Sequence, residues 1–255
     1  MGFGFRLLVI NLFLVCSVNG SDLELKELQD YFLAWDKYLL DHVSDNGLMR
    51  YDKAQEKSSM SDLNRMLDFL KNYSPLRLKG LQKKSFWINT YNLCVHAAVL
   101  KYLNGRRPQA QDTVQKIPGI WTDKICHFRG FSLSLNEIEK TVLLEHFQDP
   151  TIHFGLVCAS KGCPRLWRAF FPETVNSSLR DLGAQFIKKS TVINTDRETI
   201  GLSRLFDWYQ HHFSDADGLV SGLKHHFSDV DLLQGLDSEW QIEWIEYDWS
   251  LNAEP

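Results

Sequence analysis

The chain has 255 residues, of which 44% are hydrophobic and 24% charged, and its formal net charge is −4. A mildly acidic chain without long runs of one sign excludes a nucleic-acid surface built on phosphate contacts. Its length suits one large domain with a sizeable core.

The first twenty residues carry a single charge, Arg6, followed by an apolar run from Leu7 to Val15 and the small, polar stretch from Cys16 to Gly20. This reads as a secretory signal peptide cleaved after Gly20, leaving a secreted chain, 21–255, as one globular domain. The apolar run is shorter than the roughly 20 residues that cross a bilayer, and no later segment is apolar over that length, so no membrane span is expected.

From Asp22 to about Val43, Leu25, Leu28, Phe32, Trp35 and Leu39 recur at three- and four-residue spacing and predict an amphipathic helix, stopped by Asp45-Asn46-Gly47. A second helix is predicted from about Ser61 to Lys71. A third runs from about Leu76 through Tyr102 and ends at Asn104-Gly105. Residues 105–125 hold Pro108, Pro118 and Gly119 and read as a long loop leading into a hairpin that turns at Arg129-Gly130. Ser134-Leu135-Asn136-Glu137 is a capping-box pattern opening a helix to about His146.

Ile152 to Val157 is a short apolar run expected to form a buried strand. Beyond it the sequence predicts a helix near 173–188, a hairpin around Asn194-Thr195-Asp196, a helix from Ser203 to about Phe213, and a final strand near 240–247. Helices before and between short strands indicate an α+β fold, a helix-rich single domain with a small, mainly antiparallel sheet.

Four cysteines follow the leader: Cys94, Cys126, Cys158 and Cys163. An even count in an oxidising compartment predicts two disulfides, with three possible pairings. Asn72 and Asn176 open glycosylation sequons, although Pro75 follows the first closely.

Three segments could carry chemistry. In the third helix Ser85, Asn89, Asn92 and His96 fall on one face, a polar stripe across an apolar helix. The stripe is either a hydrogen-bonded strut holding a neighbouring loop or a cleft wall, with His96 as acid or base and the asparagines orienting a substrate. The segment from Ile152 to Pro164 brings together His153, Cys158, Ser160 and Cys163. Cys158 could be a thiolate nucleophile with His96 or His153 as base, or it could pair with Cys163 and brace the loop. If the segment is a strand, alternation places His153 and Cys158 on opposite faces. The tail from Glu246 to Asn252 carries a tryptophan between Asp248 and Asn252, which suggests that it docks. Asp248 could then orient an imidazole as a triad acid does, or serve packing alone. The repeated His-His-Phe-Ser-Asp at 211–215 and 225–229 is read as solvent-facing helix ends.

These segments, in their order, resemble the family called domain of unknown function 547. The residues that carry the resemblance are Phe86-Trp87-Ile88-Asn89 with Tyr91-Asn92 and His96; Ser132-Leu133-Ser134 with Ile138-Glu139; and Asp149-Pro150 with Ile152-His153-Phe154. They continue with Cys158-Ala159-Ser160-Lys161, Cys163-Pro164, Leu202-Ser203, Phe206-Asp207-Trp208 and Tyr247 to Asn252, so the likeness spans roughly residues 46–252. It places Asn89, Asn92, His96, His153, Cys158, Ser160, Cys163, Asp248 and Asn252 on motif positions. Cys94 and Cys126 are additions to the pattern, which implies that they pair with each other.

The leading expectation is a thiol-dependent hydrolase or acyl-transfer enzyme: Cys158 as nucleophile, His153 or His96 as base, Asp248 orienting it, and Asn89, Asn92, Ser160 and Asn252 contacting substrate. The alternatives are a non-catalytic module binding a small molecule or peptide, with a structural Cys158–Cys163 disulfide, and thiol–disulfide exchange at that pair. No phosphate loop, dinucleotide fingerprint or closed zinc pattern occurs, so neither cofactor nor metal is expected.

Overall fold

The computed structural model describes residues 20–236 and 239–255; the leader read at 1–20 lies outside them save for Gly20. The helical elements of the first half are α1 (Gly20–His42), α2 (Tyr51–Ala54), α3 (Lys57–Asn72) and α4 (Gly80–Leu103). They agree with the periodicity. In α1, Leu28, Phe32, Trp35 and Leu39 are buried, while Leu25 stands half exposed at the edge of the stripe. Helix α4 is the central strut, buried without a break from Lys84 to His96. It stops where Asn104 takes a left-handed conformation (φ 48°) and Gly105 follows with φ 84°, a backbone that branched side chains resist.

The hairpin of β1 (Cys126–Phe128) and β2 (Phe131–Leu133) turns at Arg129-Gly130. The capping box forms: the Ser134 N–H donates to Glu137 Oε2 at 2.8 Å and the Glu137 N–H to Ser134 Oγ at 3.2 Å. The helix it opens widens into π turns over Glu137–Leu144 and closes as α5 (Glu145–Phe147). Such widening recurs at functional sites, because it rotates one side chain out of the regular helical register.

The expected strand over Ile152 to Val157 is corrected. Pro150–Phe154 is a 3-10 helix whose first turn is capped by the Asp149 carboxylate, which accepts the Thr151 N–H at 2.9 Å. An aspartate before a proline at the first helical position fixes a helical start, and a short buried apolar run is compatible with either structure. The tight turn also divides the run between two cores: Ile152 and Leu156 enter the core around α4, whereas Phe154 enters a second one. Phe154, Phe186, Phe206, Phe213 and Phe227 dominate that second core.

The second core is enclosed by α6 (Val175–Ser190), β3 (Val192–Asn194), β4 (Thr199–Ser203), α7 (Arg204–Trp208), α8 (Gln210–Phe213), α9 (Leu219–His226), α10 (Asp231–Gln234) and β5 (Gln241–Ile245). Strands β3 and β4 form the expected antiparallel hairpin, and β5 pairs with β4 in parallel. The helix expected over 203–213 is interrupted at Tyr209. The fold is thus α+β and helix-rich, with two small, mostly antiparallel sheets. Among the described residues no helix is long and apolar enough to cross a membrane.

After β5 the tail docks. The Asn252 N–H donates to the Ala159 carbonyl at 2.9 Å, the Lys161 N–H to that of Ser250 at 2.8 Å, and the Val114 N–H to that of Trp249 at 3.2 Å. The Tyr51 hydroxyl donates to Asn252 Oδ1 at 2.8 Å. Residues near both ends of the described chain therefore clamp the loop that follows Cys158.

Candidate functional site

The two disulfides join Cys94 to Cys126 and Cys158 to Cys163. The first ties the buried middle of α4 to β1. The second closes the loop 158–163, in which Ala159 adopts φ 63° and the Cys158 N–H points at Cys163 Sγ across 2.9 Å. The neighbours of Cys158 Sγ are hydroxyls: Ser160 Oγ at 3.0 Å and the Tyr247 oxygen at 3.3 Å. Ser160 in turn donates to the Tyr247 oxygen at 3.1 Å and is fully buried.

Two members of the polar stripe of α4, Asn89 and Asn92, form a strut, while Ser85 Oγ and His96 Nδ1 are buried without a partner among the described residues. Asn89 donates to the Phe170 carbonyl at 2.7 Å and accepts the Phe170 N–H at 2.9 Å. Asn92 does the same with the Gly155 carbonyl at 2.8 Å and the Val157 N–H at 2.9 Å. Both amides are thus bonded to backbone on their donor and acceptor sides. His96 is buried, its Nε2 bound to the Tyr38 hydroxyl at 3.0 Å. Burial, and secondarily the nearby His42, push its pKa down to about 3. The cavity beside it measures about 20 Å³, room for a water molecule and not for a substrate. Asp248 is exposed, and its carboxylate accepts the Ser250 N–H and hydroxyl, a bonding that holds its pKa down. Asn252 anchors the tail through Tyr51. The expected triad geometry, with Asp248 orienting a histidine against Cys158, is therefore not assembled.

The structure does bring His153 and Cys158 to the walls of one cavity of about 140 Å³, together with Glu139, a residue outside the predicted set. The turn at Pro150–Phe154 makes this possible, because alternation along a strand would have separated the two side chains. Aromatic rings form most of the remaining wall: Tyr91, Trp121, Trp208, Tyr209, Tyr247 and Trp249. Trp208, Tyr247 and Trp249 pack as a cluster, their ring centroids 4.6–5.3 Å apart.

Glu139 projects from the π turns and is 7% exposed. The Tyr209 hydroxyl donates to its Oε1 at 2.5 Å, and Tyr91 also hydrogen-bonds it. Burial raises its pKa; the hydrogen bonds and Lys140 act in the opposite direction. No lysine, arginine or histidine among the described residues forms an ion pair with this carboxyl, although Lys140 follows it in sequence. His153 lies against Tyr209, with centroids 3.8 Å apart, and one imidazole donates to the other between His153 Nε2 and His212 Nδ1 at 2.8 Å. Burial, then His212 and His211, depress the His153 pKa to about 3, so this ring is neutral at physiological pH.

The repeated histidine motif thus splits: His212 joins His153, while His211 and His225 are exposed. Among the described residues no group of three or more His, Cys, Asp or Glu side chains could hold a metal ion. Both sequons are exposed at their asparagines; Asn72 donates to the Asp68 carbonyl at 2.8 Å, and Asn176 accepts Lys84 Nζ at 2.8 Å.

Residues 75–187 match the family described as Protein of unknown function, DUF547. The resemblance read from the motifs therefore holds over that span, which runs from the turn before α4 through most of α6. The matched span contains the strut, the disulfide loop, Glu139 and His153. The aromatic residues 208, 209, 247 and 249 that close the cavity lie beyond it. No curated protein and no solved structure matches the chain.

Proposed function

We propose that this protein is a secreted, non-catalytic binding module for a small organic ammonium, received in the Glu139 cavity. The observation that carries the reading is a buried carboxyl on an aromatic-walled cavity without a cationic side chain paired to it. An ionised carboxylate out of water is costly unless paired, and rings present the negative faces of their quadrupoles to a cation. A ligand ammonium would satisfy both, and about 140 Å³ accommodates a head group the size of a trimethylammonium. The disulfides support an oxidising compartment, in keeping with the leader read at 1–20. The Cys158–Cys163 bond then braces the cavity wall.

Tryptophans 121, 208 and 249 line the cavity and supply the test. Titration with tetramethylammonium chloride should change tryptophan fluorescence saturably, and Glu139→Gln, which keeps an acceptor but removes the charge, should weaken binding by about tenfold or more. A response that is absent, or equal in the variant, contradicts the proposal.

One observation favours a second reading, thiol chemistry: Cys158 and His153 share the cavity. That reading requires a free Cys158 thiol, so it predicts alkylation of this residue in the native protein.

A further inference from the structure

A second groove of about 600 Å³, which shares Cys163 and Tyr247 with the Glu139 cavity, lies between the disulfide loop, the C-terminal half of α6 and the end of β5. Arg165, Lys161 and Lys189 line it, and so do the apolar side chains of Trp167, Leu182 and Phe186. Arg165 is the unusual member. Its side chain packs over Gly47, where an added Cβ would stand 2.8 Å from Arg165 Cβ. Its Nε and Nη1 are buried and have no hydrogen-bond partner among the described residues, and the Ser190 hydroxyl at the same groove is likewise buried and unpartnered among them.

A guanidinium with donors withdrawn from water and unpaired costs free energy, which a shift of the side chain toward an anion in the groove would recover through charge-assisted hydrogen bonds. Asp248, at the same groove, acts on Arg165 through charge alone while its carboxylate is bonded to Ser250, and Glu246 is exposed; neither forms an ion pair with Arg165. Burial lowers the Arg165 pKa while Asp248 and Tyr247 act in the opposite direction, and Lys189 is held down by partial burial and by Arg165.

We propose that this groove binds a single-chain amphiphile with an anionic head group, the head at Arg165 and Lys189 and the alkyl chain along Trp167, Leu182 and Phe186. The groove has the size of a small-molecule site, with an apolar wall and a few convergent polar groups. This site is distinct from the Glu139 cavity, and the two call for ligands of opposite charge.

Dodecanoate, titrated calorimetrically below its micelle concentration, is the probe. It should bind saturably at one site, Arg165→Met should weaken it by about ten- to a hundredfold, and Lys189→Gln by about threefold. Dodecyltrimethylammonium, with the same chain and the opposite charge, should not compete. Displacement of dodecanoate by dodecyltrimethylammonium, or unchanged dodecanoate affinity in a folded Arg165→Met protein, overturns the proposal. If Arg165→Met does not fold, the surface pair Lys161→Gln with Lys189→Gln decides by the same criterion: an unchanged affinity overturns it.

Discussion

The strut on α4 and the Glu139 cavity both rest on buried polar side chains, and they differ in what satisfies them. Asn89 and Asn92 each give one hydrogen bond to a backbone carbonyl and take one from a backbone N–H, and these bonds hold the segments at 155–157 and 170. Glu139 meets tyrosine hydroxyls and the open space of a cavity, and among the described residues no cation is paired to it. A polar group whose partners are all backbone stabilises the fold. One left on a cavity with a charge to be compensated is available to a ligand.

The comparison can be broken most forcefully at Asn92. Asn92→Ala removes a donor and an acceptor at once and strands the Gly155 carbonyl and Val157 N–H in the interior. The expected loss is about 4 kcal/mol in a denaturant titration. Glu139→Gln should leave the denaturation midpoint nearly in place while weakening cation binding by about tenfold or more, and a comparable loss of stability would erase the distinction.

Next in size is the disulfide that anchors the strut. Cys94 and Cys126 are 32 residues apart in sequence, and replacing both by alanine should cost about 3–4 kcal/mol through restored chain entropy in the unfolded state. The pair at 158 and 163, with a separation of 5, should cost only about 2 kcal/mol.

Acid provides a smaller perturbation that reaches both regions. His96 in the strut and His153 at the cavity have folded pKa values near 3, below the ordinary 6.5 of the unfolded chain. For such depressed bases the unfolded state binds more protons. Stability is therefore fully present above pH 6.5 and falls as the pH drops from there toward 3. Each should cost about 2 kcal/mol between pH 7 and 5, and His96→Gln should remove its share of that dependence. An unchanged acid profile in His96→Gln would show that this imidazole is not held neutral.

The smallest effect is expected at Asp248. Asp248→Asn keeps the acceptor for Ser250 and should shift stability by no more than about 0.5 kcal/mol. A larger shift would give the carboxylate a role that its present bonding does not require.

What the sequence revealed of this arrangement follows the range of the interactions. Helices α1, α3 and α4, the capping box and the turn at Arg129-Gly130 depend on residues within a few positions of one another, and all were legible. The run from Ile152 to Val157 was misread because a short apolar segment carries no period, and the Asp149-Pro150 cap outweighed its strand-like composition. The strut was legible as one of two alternatives, but its partners at 155, 157 and 170 were not. Glu139 escaped notice because a glutamate in an amphipathic run reads as solvent-facing. Its burial comes from Tyr91 and Tyr209, dozens of residues away, and from π turns that periodicity does not announce. The one sequence signal was its place in the Ile138-Glu139 motif.

The most direct test of a braced, non-catalytic cavity is peptide mapping of the native protein under non-reducing conditions, after alkylation with and without mild reductant. The account predicts an intact Cys158–Cys163 linkage and no alkylated Cys158 in either sample. A Cys158 that is rapidly alkylated, with reactivity that drops in His153→Ala, would contradict it and establish thiol chemistry at this site.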